Sequence, residues 1–410
     1  MRAKIQMDVY HMLLNKNSLI YFFFFLTVVV GCDRNTISGD PQPEVIEDMP
    51  INLGVSSSIS FATKAAVNSW DDDVVYVFGM KRGQGGAYDF DDPANIVNWP
   101  GVVSSDNKLG LYASESVDEE GNVVKVPFYY EERCVYDFFG YHLGGAEVLS
   151  SEKGGRQYKM DVRFFGNNDI MYAYTNREND LFHGTAPLST SMLYSATAAR
   201  GGVQPTLKFY HVLTRFIFVP VGSGDCQDDV VLEGLTMKSV NSGRLTLMDG
   251  EASFVPTAGA EQVDMVLKNA DDTEYTPEVL VSIPDKTPMG GKGASLMLAP
   301  GMEAVDVTLY LKRESTNEVI KHSFIVDASE FSGGHSHFKA GYSYTIRMIV
   351  YGLQKIEIEA GLEDWIEDDF IYDPDDPNAN KPVTGEHPMG DKYVSVGDYA
   401  DGGHLGEIVD

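Results

Sequence analysis

Basic residues are scarce in this chain of 410 residues, where 31 Lys and Arg are set against 61 Asp and Glu for a formal net charge of -30. Proteins that bind nucleic acid depend on clustered Lys and Arg to neutralise phosphates, so this balance argues against a nucleic-acid partner. High acidity is typical of an exposed, soluble surface and says little about the fold.

Motifs for catalysis and metal binding are missing as well. The sequence has no Gly-x-Ser-x-Gly, His-Glu-x-x-His or Walker motif, so we predict no catalytic residue, no cofactor and no enzymatic activity. His335 and His337 lack an evident third ligand, and the acidic run 373–380 lacks the Gly and Glu of an EF-hand loop. We therefore predict no metal site.

No stretch after residue 32 is long and apolar enough to span a bilayer. The run before it, residues 19–30, follows Lys16 and is too short for a comfortable membrane span. It ends in Val-Val-Gly-Cys, an order similar to a bacterial lipobox, in which Cys32 is acylated and becomes the first mature residue. We predict a signal peptide over 1–31 and a polar tether over 32–50. The alternative is an ordinary signal peptide with a cysteine there by chance.

Cysteine is rare, with three residues in all. If Cys32 carries lipid, Cys134 and Cys226 remain. Outside the cytoplasm these two can form one disulfide, or they can be two buried thiols, which behave as small apolar groups. The sequence leaves both alternatives open.

Strand patterns dominate the rest of the chain. Residues 305–312 place Val305, Val307 and Leu309 on one face and polar residues on the other, and such alternation predicts sheets with one dry face. Residues 74–78 and 123–130 also read as strands, and the apolar run 207–221 reads as one long central strand. A helix is plausible only in short connections such as 188–198. The sequence predicts an all-β sandwich protein.

A break in composition suggests how these strands divide. The small, flexible segment 199–205 precedes the strongest strand, so we predict domains over 51–204 and 205–369. Residues 370–410 are acidic and lack apolar periodicity, which favours a solvated tail.

Several segments together resemble the fimbrillin superfamily, the FimA/Mfa-type pilus lipoproteins of Gram-negative gut and oral anaerobes. Besides the lipobox, the resemblance is carried by residues 59–65, 74–78, 136–141, 209–216, 298–301, 338–346 and 356–365. It implies two tandem transthyretin-like β-sandwich domains and an outer-membrane lipoprotein at the cell surface. It also implies that a trypsin-like protease releases an N-terminal strand, so that a strand from another pilus subunit can enter the emptied groove.

Residues 51–61 are the candidate for the removable strand, because Ile51, Leu53 and Val55 alternate with other residues. Lys64 follows as the candidate cleavage site. Lys81 and Arg82 are alternatives, but both follow a predicted core strand, so a cut there would be destructive. The plainer interpretation is an uncleaved first strand with Lys64 in a solvated turn.

The donor strand is less clear from the sequence. Residues 392–396 alternate and residues 366–372 are a second candidate, while a solvated tail explains both without a donor. We predict a structural or adhesive pilus subunit, either self-assembling or assembling with paralogous subunits, that meets a host or bacterial surface ligand. The rivals are a lipid-anchored module that binds glycans or proteins without polymerising, and a surface hydrolase on a sandwich scaffold.

Overall fold

The computed structural model describes residues 48–55, 74–82, 87–104, 107–118, 121–175, 193–224, 226, 229–248, 253–283, 287–291, 294–331, 335–364 and 394–400, with side chains as far as residue 359. Nearly all of these residues lie in strands or in the turns between them, so the chain is an all-β protein, as predicted. None of the helices in these ranges is long and apolar enough to cross a bilayer.

The first sheet closes on itself in the order β1-β11-β10-β7-β2-β3-β4. Its strands are β1 (Leu53–Val55), β2 (Val74–Lys81), β3 (Ile96–Val103), β4 (Lys108–Gly110), β7 (Tyr136–His142), β10 (Met171–Thr175) and β11 (Thr206–His211). Alternate residues point inward, as Val75 and Val77 do in β2, and they enclose a first core that holds Phe138, Leu207 and Phe209. We call this closed sheet the barrel.

Two further sheets share a second core and form a sandwich. One has the order β18-β12-β21-β22-β23, and its strands are β12 (Thr214–Gly222), β18 (Leu296–Leu298), β21 (Tyr342–Val350), β22 (Lys355–Asp364) and β23 (Val394–Ala400). The other has the order β16-β13-β19-β20, with β17 beside β13, and its strands are β13 (Val230–Val240), β16 (Gln262–Val266), β17 (Glu278–Val279), β19 (Ala304–Arg313) and β20 (Glu318–Asp327). Val305, Val307 and Leu309 are buried in this core, which confirms the alternation predicted for β19.

A fourth sheet, which has four strands, joins distant parts of the chain. Its order is β15-β14-β9-β8, from β8 (Glu147–Gly154), β9 (Gln157–Arg163), β14 (Ser242–Leu247) and β15 (Ser253–Pro256). Because β9 precedes residue 205 and β14 follows it, this sheet ties together the two segments that the sequence divides there. The division at residue 205 therefore stays a prediction.

The smaller elements complete the described chain. Strands β5 (Tyr112–Val117) and β6 (Val123–Pro127) form a two-stranded ribbon. Helix α1 (Ala196–Arg200) begins at Ser195, whose hydroxyl accepts a hydrogen bond from the Ala198 amide, as an N-cap should. Two short 3-10 helices span Leu280–Ser282 and Ala328–Glu330.

Residues 207–221 do not form the single strand predicted for them. The run is divided between β11 of the barrel and β12 of the sandwich, and Val212 and Leu213 link the two strands. Both linking residues are buried in the second core. The apolar pattern therefore continues through the break, since each strand fills a different core.

The two remaining cysteines are thiols at the edges of different cores. Cys134 packs against the first core and Cys226 against the second, and each is half-buried. Burial raises the pKa of the Cys134 thiol, which keeps it in its neutral form.

Candidate functional site

The first described strand occupies a slot in the barrel wall between two partners. β1 runs antiparallel to β4 and parallel to β11, with Leu53 opposite Leu109 and Val55 opposite Leu207. The Gly54 amide donates to the carbonyl oxygen of Pro205 at 2.9 Å. The Val55 amide donates to the carbonyl oxygen of Asn107 at the same distance. Both edges of the strand are therefore hydrogen-bonded.

The residues just before β1 are held in the same way. The Ile51 amide donates to the carbonyl oxygen of Phe128 at 2.7 Å, and the Tyr130 amide donates to that of Met49 at 2.9 Å. The bound segment therefore extends over 49–55. We call it the first-strand segment.

The first-strand segment is anchored by three side chains. Ile51, Leu53 and Val55 are 2%, 1% and 4% exposed and belong to the first core, while Asn52 faces water. This confirms the alternation predicted for residues 51–55. Burial of one such side chain contributes roughly 1.5–3 kcal/mol, so the three together contribute about 5–9 kcal/mol. That is comparable with the net stability of many whole domains, about 5–15 kcal/mol.

Aromatic residues surround the groove that holds this segment. Tyr130 and Tyr136 are buried with their rings edge to face at 5.5 Å, and Phe138 stacks beside Tyr136. The Tyr136 hydroxyl donates to the carbonyl oxygen of Ala94 at 3.2 Å. Burial raises the pKa of Tyr136 to about 12 and also raises that of Tyr130, so both phenols stay neutral over the physiological range.

Two of the three basic residues considered for cleavage, Lys81 and Arg82, are held in place by contacts with the rest of the fold. Lys81 pairs with Tyr136 in the β2–β7 ladder, and its ammonium contacts the carboxylates of Asp92 and Glu131. Two hydrogen bonds raise the pKa of Lys81 above its usual value. The bond to Asp92 has the larger effect and the bond to Glu131 the smaller.

Arg82 is held in a similar way. Its amide donates to the carbonyl oxygen of Val135 at 2.7 Å, and its guanidinium contacts the Asp137 carboxylate at 2.9 Å. A protease needs an extended substrate with a freely inserted basic side chain, which neither Lys81 nor Arg82 offers. Lys64 lies outside the described residues, in the segment 56–73 that links β1 to β2.

The last described strand, β23, lies at the edge of the sandwich. It pairs antiparallel with β22, from Ala360 opposite Val394 to Lys355 opposite Ala400. Part of the predicted donor segment 392–396 is therefore strand. The other donor candidate, residues 366–372, lies outside the described residues, as does Cys32.

The histidines considered in the sequence have ordinary surroundings. The exposed His337 lies 3.7 Å from the Glu303 carboxylate. His211 contacts the buried Asp169 carboxylate at 2.9 Å. In the described part of the chain no three His, Cys, Asp or Glu side chains are grouped so as to hold a metal ion.

Sequence reasoning missed the residues that receive the first-strand segment. The acceptors on both sides are backbone carbonyls, such as those of Phe128 and Pro205. Because every residue has a backbone carbonyl, the residue type does not reveal which ones act as acceptors. The left-handed backbone of Asn107, with φ of 59°, is the one local signal, since Asn tolerates this conformation better than most residues.

Comparison with known proteins places the chain in a family. A family model described as fimbrillin-like matches residues 63–365. No curated protein matches. One similar solved structure is assigned to cell adhesion in Bacteroides uniformis, with 15% identity, a TM-score of 0.45, and coverage of 79% of this chain and 100% of that one.

Two other similar structures come from Porphyromonas gingivalis. The fimbrial anchor protein Mfa2 has 10% identity and a TM-score of 0.28, over 78% of this chain and 99% of that one. The tip fimbrial protein Mfa3 has 10% identity and a TM-score of 0.32, over 77% and 99%. Because the family model spans well over half of the sequence, the chain belongs to the fimbrillin-like family.

Proposed function

We propose that this protein is a fimbrial adhesive subunit at the cell surface, anchored by lipid at Cys32 and assembled by protease-triggered strand exchange. The observation that carries the proposal is the first-strand segment. It is bonded on both edges of β1, buries three side chains and is linked to β2 only through residues 56–73. A cut after Lys64 leaves β1 held by non-covalent contacts alone.

A groove that is filled by another strand has a lower free energy than an empty groove. Loss of the segment exposes the apolar slot and leaves the backbone edges of β4 and β11 unpaired. Buried backbone groups need partners, and an exposed strand edge recruits another strand. A segment with the same alternation restores both kinds of contact, which is the chemistry of β-augmentation.

The proposed donor is the C-terminal strand β23. Its described backbone is bonded to β22, so it can leave without unpairing a second neighbour among the described strands. Insertion of β23 into the groove of the next copy, or of a paralogous subunit, is a head-to-tail contact. Repetition of such a contact yields a filament in place of a closed ring.

Location and maturation follow the same proposal. The acylated Cys32 holds the precursor at the outer membrane, and more than one acyl chain gives stable anchoring. A trypsin-like protease then separates the lipidated end from the rest of the chain by cutting after Lys64. The role is structural and adhesive, with no catalytic step.

Limited trypsin digestion of the purified chain tests this proposal. We expect one early cut after Lys64, followed by loss of the leading segment and growth of ladders on native gels. Lys64→Ala should abolish the early cut, whereas Lys64→Arg, which keeps a trypsin site, should preserve it. Early cutting of Lys64→Ala at unchanged mass would refute the site.

A second candidate is a lipid-anchored surface module that binds glycans or proteins and never polymerises. The observation that favours it is the pairing of β23 with its own β22, which occupies the proposed donor within one chain. A chain that is cut after Lys64 yet stays a monomer at high concentration would support this candidate over the filament subunit.

A further inference from the structure

The β5–β6 ribbon stands apart from the other sheets. Among the described strands its two strands pair only with each other, from Tyr112 opposite Pro127 to Val117 opposite Val123. At the base of the ribbon, the indole N–H of Trp99 donates to the carbonyl oxygen of Tyr112 at 2.9 Å. Residues 114–117 and 123–126 beyond this base are all exposed. The ribbon is therefore fixed to the barrel at one end, and the rest of it faces solvent.

The exposed part of the ribbon is rich in valine. Its four valines are exposed, with values of 67% at Val117, 61% at Val123, 42% at Val124 and 39% at Val126. Val117 and Val123 share one face, while Val124 and Val126 share the other. None of the four belongs to either described core. Because an isolated two-stranded ribbon is only marginally stable, exposed valines on both faces favour a ribbon that is covered in an assembly.

The backbone of β6 has a free edge. At the turn of the ribbon, the Asp118 amide donates to the carbonyl oxygen of Asn122 at 3.0 Å. Hydrogen-bonded and non-hydrogen-bonded pairs alternate along an antiparallel ladder, so the backbone groups of the next pair, Val117 and Val123, point away from the ribbon. The same alternation applies to Lys125, two residues further along β6. No described strand pairs with this outer edge.

The position and charge of β6 leave this edge open to a partner. The space between the ribbon and the barrel is lined by Tyr112 to Glu115 of β5 but only by Lys125 of β6, so β6 is the outer strand. A lysine on an edge strand usually discourages pairing. Here the Lys125 ammonium lies 3.1 Å from the Glu115 carboxylate and 4.6 Å from the centre of the Tyr112 ring, so its charge is balanced within the ribbon.

Strand β8 is also an exposed edge strand, but its edge is irregular. It exposes Val148 and Leu149, and its ladder with β9 shifts register between Val148 and Ser150. A bulge of this kind twists an edge away from a new strand. The β5–β6 ladder is regular from Val123 to Val126, with its one register shift at the base of the ribbon. The regular edge of β6 is therefore the better template for pairing.

We propose that β6 pairs antiparallel with β6 of a second copy of this chain, about a two-fold axis at Val124. In this register Val124 lies opposite Val124 of the second copy, and Val123 lies opposite Lys125 of the second copy. Each Lys125 keeps its own Glu115, and no like charges face each other. Val124 and Val126 of both copies then form one apolar stripe on a four-stranded sheet.

The two-fold arrangement also satisfies the size of the molecule. An antiparallel contact between β6 and β5 of another copy would repeat the ribbon after two strand spacings, about 10 Å, which leaves no room for two barrels. The two-fold axis places the barrels at opposite ends of the shared sheet. Such a contact uses the same surface of both copies, so it closes at a dimer.

The shared sheet goes beyond the proposed function, because it requires neither cleavage nor strand exchange. The contact area is small, so two free copies associate weakly. Copies held side by side on a membrane or in neighbouring filaments have a higher effective concentration, which strengthens such a contact. The ribbon thus gives the subunit a lateral contact that can fail or succeed independently of filament growth.

Sedimentation velocity of the uncleaved chain with Lys64→Ala tests the inference, since strand exchange after a cut at Lys64 is then excluded. We expect a reversible monomer–dimer equilibrium that stops at two copies. Val124→Lys places two like charges at the axis and should raise the dissociation constant about tenfold or more. Val319→Lys, at a similarly exposed valine on β20, should leave the dissociation constant unchanged.

Cross-linking tests the register. Non-hydrogen-bonded residues that lie opposite each other have Cα atoms about 4.5 Å apart, a separation that a disulfide can span. Mild oxidation should therefore link Val124→Cys into a dimer. Val117→Cys carries a more exposed thiol on β5, away from the axis, and should stay at the background level that the parent's own cysteines give.

Four results would overturn the inference. They are a chain that stays monomeric at every concentration, a dimer that Val124→Lys leaves intact, growth beyond two copies without a dimer plateau, and cross-linking of Val117→Cys that equals that of Val124→Cys.

Discussion

The first and last described strands are held in different ways. β1 is bonded to β4 and β11, and its inward side chains reach the first core. β23 meets β22 alone among the strands that the structure describes. Removal of an inner strand opens a closed sheet, whereas removal of an edge strand leaves the rest of its sheet paired. The pairing therefore distinguishes the strand that is proposed to leave its groove from the strand that is proposed to enter one.

The largest effect is expected from weakening the anchoring of β1. Leu53→Ala should lower the free energy of unfolding by about 2–5 kcal/mol, because it leaves a cavity in the first core. Urea unfolding measures the effect. The neighbouring Asn52→Ala changes an exposed side chain and should stay within about 0.5 kcal/mol. Similar losses for both variants would contradict the anchoring role of Leu53.

Alkaline titration probes the aromatic wall beside β1. The pKa of Tyr136 is raised to about 12, so the unfolded chain loses this proton first and stability falls as pH rises from about 10 to 12. The slope contributed is at most about 1.4 kcal/mol per pH unit. Urea unfolding at several pH values should show a shallower decline for Tyr136→Phe, while Tyr129→Phe, at an exposed site, should match the parent.

Deletion of residues 394–400 tests how much β23 contributes to the stability of its sheet. We expect a loss of about 1 kcal/mol, since a few net hydrogen bonds are partly offset by freed chain entropy. Hydrogen exchange should accelerate at the β22 amides and stay unchanged in β11. Faster exchange throughout the barrel would show that β23 supports more than its own sheet edge.

The smallest expected effect concerns the second core. His322 is buried, its Nε2 lies 2.6 Å from the carbonyl oxygen of Leu353, and burial lowers its pKa. The unfolded chain therefore takes up this proton first, so stability falls as pH drops below about 6.5, by at most about 0.7 kcal/mol from pH 7 to 6. His322→Gln should remove that decline in urea titrations, whereas the exposed His337→Gln should retain it.

The sequence predicted the strand character and the inward faces well, because both depend on local alternation. Leu53 and Val307 are buried where period-two patterning places them. The break at Val212 and Leu213 was not predicted, since residues that fill either core look alike in sequence. Pairing of β1 with β11 was also beyond prediction, because register between distant strands has no local signal.

The exposed position of Trp99 in β3 was missed for a related reason. Nothing in the residue type separates an exposed Trp99 from a buried one. The local signals are the left-handed Asn98 before it, with φ of 52°, and Pro100 after it, and both disturb simple alternation in β3. Cys32 and Lys64 lie outside the described residues and stay predictions.

The parallel pairing of Gly54 with Thr206 also has a kinetic consequence. The two partners are about 150 residues apart, so closing the barrel requires a long loop to form, which is slow compared with joining neighbouring strands. Because the chain is synthesised from its N-terminus, β1 cannot pair with β11 until β11 has been synthesised. Contacts that form late in folding govern how fast a protein opens more than how fast it folds. The strand proposed to leave during assembly is thus the one expected to arrive last during folding.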